Sequence, residues 1–478
     1  MSTAPVPPGG RPHGAGRVEG RSIDYVPRAE RHGRVWHQGP FWFMGNFVLV
    51  TMVTGFIGPS VGLSLGPSVL AIVLGVLFGT FFMAFHANQG PRMGLPQMIQ
   101  SRAQFGLRGA AVPLLATVFV YIGFVVFDLI LAKDALQTVL PGGKGLWYAL
   151  LTIVAVAIAV VGHDLLHTVQ RYLTYAAVLI FGVLTVGAIA NVNAGAATPD
   201  AGFALTAFLT QFAAAAGYQI SYAVYVSDYS RYLPSDTPAR GVIGWTYLGA
   251  AASAIWLMCL GALIAGALPE PDPIASVRAI GNDVFDGFGT FVVLASVPAL
   301  ISIMAVNCYG AMLTTNSGVD GFRRFRPTVR SRIIGILAVA IVSLLIALVI
   351  PDDYLDSFTT FVLFMLYFLV PWTAVNLVDF YFVRRGHYAI TEIFNPRGIY
   401  GRWGGPGLIA YAVGLLAMAP FIVTSFYTGP VAEALDGADI SFAVGLVVAG
   451  VLYLVLARRI DLDREREAIR ASERTLEG

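Results

Sequence analysis

The chain has 478 residues, 56% of them hydrophobic and only 12% charged, where a soluble domain carries roughly 25% charged residues. With a mean hydropathy of +0.71, this composition belongs to a membrane protein and excludes an ordinary soluble domain. The net charge of +2 says little alone, because the placement of the charges matters more. Cys259 and Cys308 both fall in apolar stretches, so no disulfide framework is expected.

Residues 1–40 are polar, with Pro, Gly and six arginines, and read as a disordered cytoplasmic tail. No apolar core begins before Phe41, which speaks against a cleaved signal peptide. Stretches of about 20 apolar residues then give twelve spans, at 41–66, 68–88, 111–140, 145–162, 171–191, 203–226, 241–268, 288–315, 332–350, 357–382, 405–426 and 440–457. With the N-terminus inside, only Lys144 and Arg278 of the 30 Lys and Arg fall in outer loops. Lys133 lies within the third span near its outer end, and the others are inside. Glu270, Asp272, Asp352 and Asp353 gather outside. This is the positive-inside pattern, and it predicts two cytoplasmic termini. From Arg458 the chain becomes a charged tail that reads as a solvated helix.

The first span contains Thr54-Gly55-Phe56-Ile57-Gly58-Pro59. Pro59 cannot donate to the preceding turn, so a helix break is expected around Gly55, Gly58 and Pro59. A weaker interruption falls in the sixth span at Ala216-Gly217-Tyr218-Gln219. Spans 1 and 6 are five apart and run in opposite directions. Interrupted helices at matching positions of two inverted halves point to a transport site at mid-membrane. Packing is the competing explanation, since Gly58-x3-Gly62 and Gly75-x3-Gly79 are small-x3-small patterns.

The third span carries Asp128 in the apolar run from Pro113 to Ala132. A carboxylate at that depth costs about 2.5–3.5 kcal/mol on insertion scales and by default faces a cavity, where it grips a substrate or carries a proton. Tyr121, Phe124, Asp128 and Ala132 share one stripe. An aromatic ring one turn from a carboxylate suits a flat polar ligand. Lys133 lies about 140° around the helix from Asp128, a poor partner within the helix. The bland use of Asp128 would be a bond to another helix.

At the inner end of the fourth span, His163-Asp164-x2-His167 puts two histidines at metal-like spacing. With no third ligand nearby it reads as an interfacial helix end rather than the metal site of a membrane enzyme. The polar rings of a channel pore are not found. In the eighth span Ser302 and Asn307 lie five residues apart and face different ways, one suited to an ion site and the other to a substrate cavity. A bond from Ser302 to its own helix and an interhelical bond from Asn307 are the structural alternatives.

The run from Gly90-Pro91-Arg92-Met93-Gly94-Leu95-Pro96-Gln97 through Ser101-Arg102-Ala103-Gln104-Phe105-Gly106 resembles the loop between helices 2 and 3 of the purine–cytosine permeases, in the nucleobase:cation symporter family. Tyr225-Val226-Ser227-Asp228-Tyr229-Ser230-Arg231-Tyr232-Leu233-Pro234 is similar to their second signature, and the Gly58-Pro59 break also matches. The resemblance covers residues 35–460. It implies an all-α membrane protein with twelve transmembrane helices in the leucine-transporter-type fold. Two inverted five-helix repeats (41–191 and 203–382) are then followed by two extra helices (405–457) and the charged tail 458–478. By topology Arg92, Arg102, Asp228 and Arg231 lie at the cytoplasmic surface, where they would tie loops and gating helices together.

The family's third helix typically offers a Trp and, four residues on, an amide; the aligned positions here are Phe124 and Asp128. Gln219 and Tyr222 take the ligand positions of helix 6, and Asn307 that of the substrate-binding Asn of helix 8. Asn46 is the polar residue of the first span nearest the expected site. Sodium-coupled relatives carry adjacent hydroxyl residues earlier in helix 8, where this chain has Ile301-Ser302 and lacks one oxygen. A proton on Asp128 is therefore the expected co-transported ion, with sodium near Ser302 as the alternative. The resemblance implies import of a nucleobase or related nitrogen heterocycle by alternating access across the plasma membrane, the inner membrane of a prokaryote. A cationic vitamin-like heterocycle, an amine or an amino acid is the alternative cargo. No enzymatic activity, cofactor, metal or nucleic-acid partner is expected; the partners are the substrate and the lipid bilayer, with the oligomeric state left open.

Overall fold

The computed structural model describes residues 23–161, 163–191, 203–268, 272–323 and 328–477. Residues 1–22 of the polar tail, Glu270, and the side chains of His163, Asp164 and His167 lie outside the described residues. In chain order the helices are α1 (Gln38–Asn46), α2 (Leu49–Thr54), α3 (Ile57–Ser60), α4 (Leu65–Ala87), three short helices α5 (Gln89–Met93), α6 (Gln97–Gln100) and α7 (Arg102–Phe105), then α8 (Ala111–Gln137), α9 (Lys144–Val161) and α10 (His163–Asn191). The second half runs α11 (Leu205–Ser221), α12 (Val226–Ser230), α13 (Ala239–Ala265), α14 (Pro273–Val284), α15 (Phe288–Phe322), α16 (Val329–Val349) and α17 (Leu355–Val378). It closes with α18 (Gly405–Met418), α19 (Pro430–Ala434), α20 (Ser441–Ala457) and α21 (Leu462–Glu477). A small antiparallel pair, β1 (Val423–Thr424) and β2 (Tyr427–Thr428), sits between α18 and α19.

Helices dominate because a chain in hydrocarbon must satisfy its backbone polar groups within each segment. Among the described residues seven helices are long and apolar enough to cross a membrane, or nine if each of two bent pairs counts as one span. The second bent pair joins apolar α20 to the charged α21 at 89°, so α21 turns aside where its charges could not follow into lipid. Two apolar helices, Lys144–Val160 and Gly405–Phe421, are shorter.

The first span bends by 71°, but at Phe47–Val48 rather than at Gly55, Gly58 and Pro59. Val48 is extended (φ −139°, ψ 158°) and caps α2. The physical reason is that Pro59 falls in the first turn of α3, where N–H groups have no intrahelical partner anyway. A second interruption, without the sharp bend, does fall at Gly55–Phe56 between α2 and α3, and the glycines there also let helices touch. A Cβ on Gly55 would stand 1.9 Å from the carbonyl oxygen of Met258 on α13. The Gly58 N–H donates to Gln211 Oε1 on α11 at 2.6 Å. Gly55→Ala is accordingly expected to push α2 off α13 and to cost about 1–3 kcal/mol, read as a lowered Tm of the purified protein in detergent; an unchanged Tm would contradict this packing role.

Gly217, by contrast, is no break. α11 passes through it unbroken, and a Cβ there would meet the Val362 carbonyl oxygen of α17 at 2.3 Å. The interruption comes just beyond, in a 3-10 turn at Tyr222–Val224 and at Tyr225 (φ −139°, ψ 6°), before α12 resumes.

The two sequence signatures meet at one end of the bundle. Ser227 and Ser230 of α12 donate to the carbonyls of His86 and Ala87 at the end of α4, and Asp228 accepts the Gln97 N–H at 2.8 Å. Gly90 must be small, since a Cβ would meet Ser230 Oγ at 2.1 Å. Arg102 is buried and donates to the Ser317 carbonyl (2.9 Å) and Asp320 (3.3 Å) on α15, while Arg231 reaches the Asp24 carbonyl. Arg92 differs from the tying role expected of it: it is exposed and lines an open cavity of about 370 Å³ beside Tyr25, His387 and Glu473. The tail helix α21 is also less free than its charges suggest. Its Glu465 is buried and accepts from Arg384 Nε (2.7 Å) and the Tyr400 hydroxyl (2.8 Å).

Candidate functional site

α8 lies along α15 and also touches α16 and α17, which removes most of it from lipid. Its stripe meets aromatic partners at each step. Tyr121 stacks on Tyr225 with ring centroids 5.7 Å apart. Phe124 stands edge-on to Tyr218 of α11 and to Phe361 of α17, both at 5.5 Å. One turn further, Asp128 has no solvent exposure, and neither carboxylate oxygen has a hydrogen-bond partner among the described residues. The bond to another helix that would make Asp128 structural is therefore not made among the described residues. Lys133 is engaged elsewhere, with Asp134 and Asp352.

The two helix breaks frame this point. Asn46, the last residue of α1, donates to the Ala250 carbonyl of α13 at 3.1 Å and accepts from Gln219 Nε2 at 3.4 Å. The Thr51 hydroxyl meets the Asn46 carbonyl (2.6 Å) and the Tyr218 hydroxyl (2.7 Å), joining the broken first span to α11. Tyr222 donates to the Gly45 carbonyl at 3.3 Å. Gln219 keeps its Oε1 without a partner among the described residues. Asn46, Gln219 and Tyr222 thus come together at the break, and Phe124 and Asp128 reach them through Tyr218.

Thr51 and Tyr218 were not singled out from sequence, although they bridge the two halves of the site. The available signal was slight: a hydroxyl residue just past Asn46, and a Tyr one position before Gln219. On α15, Ser302 and Asn307 are both buried, and the Ser302 hydroxyl has no hydrogen-bond partner among the described residues, its own helix included. Cys308, next to Asn307, lies near Asp128, as do Tyr218 and Tyr222. The arrangement offers a carboxylate with two vacant acceptor positions, an amide oxygen, hydroxyl donors and aromatic walls. Such a set can hold a flat, polar, nitrogen-rich molecule by hydrogen bonds and ring contacts.

Two broken helices around buried, unsatisfied polar groups in a multi-pass apolar bundle define a membrane transporter. A family model described as "Permease for cytosine/purines, uracil, thiamine, allantoin" matches residues 25–445, and the chain belongs to that family. It is 40% identical over 447 residues to a putative purine-cytosine permease, YxlA, of Bacillus subtilis (strain 168), covering 92% of this chain and 96% of that protein. It is 26% identical to the purine-cytosine permease fcyB of Emericella nidulans, covering 92% and 88%. Its fold resembles that of Mhp1 in an inward-facing conformation, with a TM-score of 0.73 at 17% identity over 93% of this chain and 94% of that one. A closed conformation of Mhp1 with bromovinylhydantoin bound gives a TM-score of 0.69 at 18% identity, covering 96% of each. The relatives are permeases and the chain is a secondary transporter, not an enzyme.

Proposed function

We propose that the protein imports a small nucleobase or related nitrogen heterocycle by alternating access, coupled to a proton in preference to sodium. On this reading it sits in the plasma membrane with both termini cytoplasmic, as the distribution of Lys and Arg suggests. Twelve spans, with inverted repeats at 41–191 and 203–382, would complete the arrangement. The observation that carries the reading is Asp128: a fully buried carboxylate with no partner among the described residues, one turn from the ring of Phe124. The substrate would lie against Phe124 and Tyr222 and bond to Asp128, Gln219 and Asn307, with Asn46 fixing the break that opens and closes. One oxygen at Ser302, beside Ile301, is a poor start for a sodium ion, which wants several oxygen ligands.

A thermal-shift screen of nucleobases, hydantoins and vitamins, with and without sodium at two pH values, tests this. The expected outcome is stabilisation by a nucleobase-type heterocycle that depends on pH and not on sodium. Stabilisation by aliphatic amines or amino acids in place of flat heterocycles would overturn the proposed cargo. As a further check, Phe124→Ala is expected to weaken heterocycle binding by about 1–2 kcal/mol, the worth of an aromatic contact with its burial, while leaving pH dependence intact.

A further inference from the structure

The surroundings of Asp128 bear on how proton and cargo combine, an inference that rests on the transport reading above. No ion pair or hydrogen bond among the described residues balances this carboxylate, which is fully buried. The titratable groups that face it are Tyr218 of α11, Tyr222 of the following turn and Cys308 of α15, all uncharged near neutral pH. α17 contributes the apolar ring of Phe361 beside Phe124. The cation nearest along α8, Lys133, is held by Asp134 and Asp352. The rings continue from Tyr218 through Tyr222 to Tyr225 and Trp42, and aromatic faces attract cations. A bare carboxylate closed into such a place costs several kcal/mol, whereas a neutral carboxyl group or an ion pair costs far less.

We infer that the protein takes in one positive charge at Asp128 with each cargo molecule, and that the cargo decides who brings it. A neutral heterocycle enters with a proton on Asp128: the carboxyl O–H donates to a ring nitrogen or carbonyl, and the second oxygen accepts an N–H. A flat cationic heterocycle takes the place of the proton and pairs with the carboxylate directly. In the first case a proton from the outer water is bound and then released to the inner water with the cargo; in the second no proton crosses. The two cargo types therefore have opposite pH dependence. Affinity for the neutral one is full at low pH and falls about tenfold per pH unit once the empty site has lost its proton, and affinity for the cation rises by the same factor as that proton leaves.

The test is calorimetry on the purified full-length chain without sodium, with cytosine and an N-methylated aminopyridinium as probes. Repeating each titration in buffers of different ionisation enthalpy counts the protons. Cytosine is expected to take up about one proton at alkaline pH, and the pyridinium to take up none there and to release about one at acid pH. Asp128→Asn should bind cytosine without proton uptake and lose the pyridinium. The counts on the unmodified chain decide the matter even where the variant does not fold. Equal proton uptake for both probes, none for cytosine, or no pyridinium binding at alkaline pH would overturn the inference while leaving the transport reading standing. If no heterocycle binds at any pH, the transport reading fails and takes the inference with it.

Discussion

Asp128→Asn is expected to abolish proton-driven uptake and to flatten the pH dependence of binding. The amide has nearly the same shape, so the bundle around α8 is kept, but the only titratable carboxyl at this point of the described structure is gone. It also replaces an acceptor-only ion, or a donor-plus-acceptor acid, by an amide with fixed donors. A hydrogen bond to a charged group contributes about 1.5–3 kcal/mol, so binding of a ligand that needs the carboxyl should weaken by roughly 10- to 150-fold. The variant should fold as well as the parent or better, because Asp128 has no partner to lose among the described residues. Uptake measured from mildly acidic to mildly alkaline pH checks this, and a variant that transports with the parent's pH profile would remove Asp128 from the mechanism.

The second large effect is on stability. Arg384 is buried between Asp379, at the end of the last long span, and Glu465 on α21. Asp379 also receives the hydroxyls of Tyr388 (2.8 Å) and Tyr453 (2.7 Å) and the amide of Gln104 (2.6 Å). Arg384→Met keeps the volume but strands two buried carboxylates, and removing one partner of a buried pair typically costs 3–5 kcal/mol. The expected result is a large fall in Tm in detergent. Arg384→Lys should recover only part, because an ammonium cannot present the planar fork that reaches both acids. A variant as stable as the parent at neutral pH would show that α21 is not anchored there.

The site was partly legible in the sequence, for a physical reason. A carboxylate in the middle of an apolar run is conspicuous by its cost, and 3–4 residue spacing puts Phe124 on its face without any tertiary information. The position of the helix break was not legible. A Gly-Pro pair suggests a broken helix, yet the missing N–H of Pro59 does no harm in a first turn, and the bend went instead to Phe47–Val48, where Asn46, Thr51 and Tyr218 lie ready to satisfy it. That arrangement depends on residues more than 150 positions apart (Thr51 and Tyr218 are 167 apart), and no local pattern records it. The same holds for α21. Its charged sequence reads as a solvated helix, while Glu465 is held by Arg384 from 81 positions away. Gly217 marked a close helix contact rather than a break, and Gly55 marked both, a distinction that needs the partner helix to be seen.

The most direct test of the account is uptake into proteoliposomes that contain the purified protein and no sodium. With the outside made acid, a nucleobase chosen by the binding screen should accumulate above its external concentration, and collapsing the proton gradient with an ionophore should release it. Accumulation that requires a sodium gradient and ignores the proton gradient would contradict the central role given to Asp128.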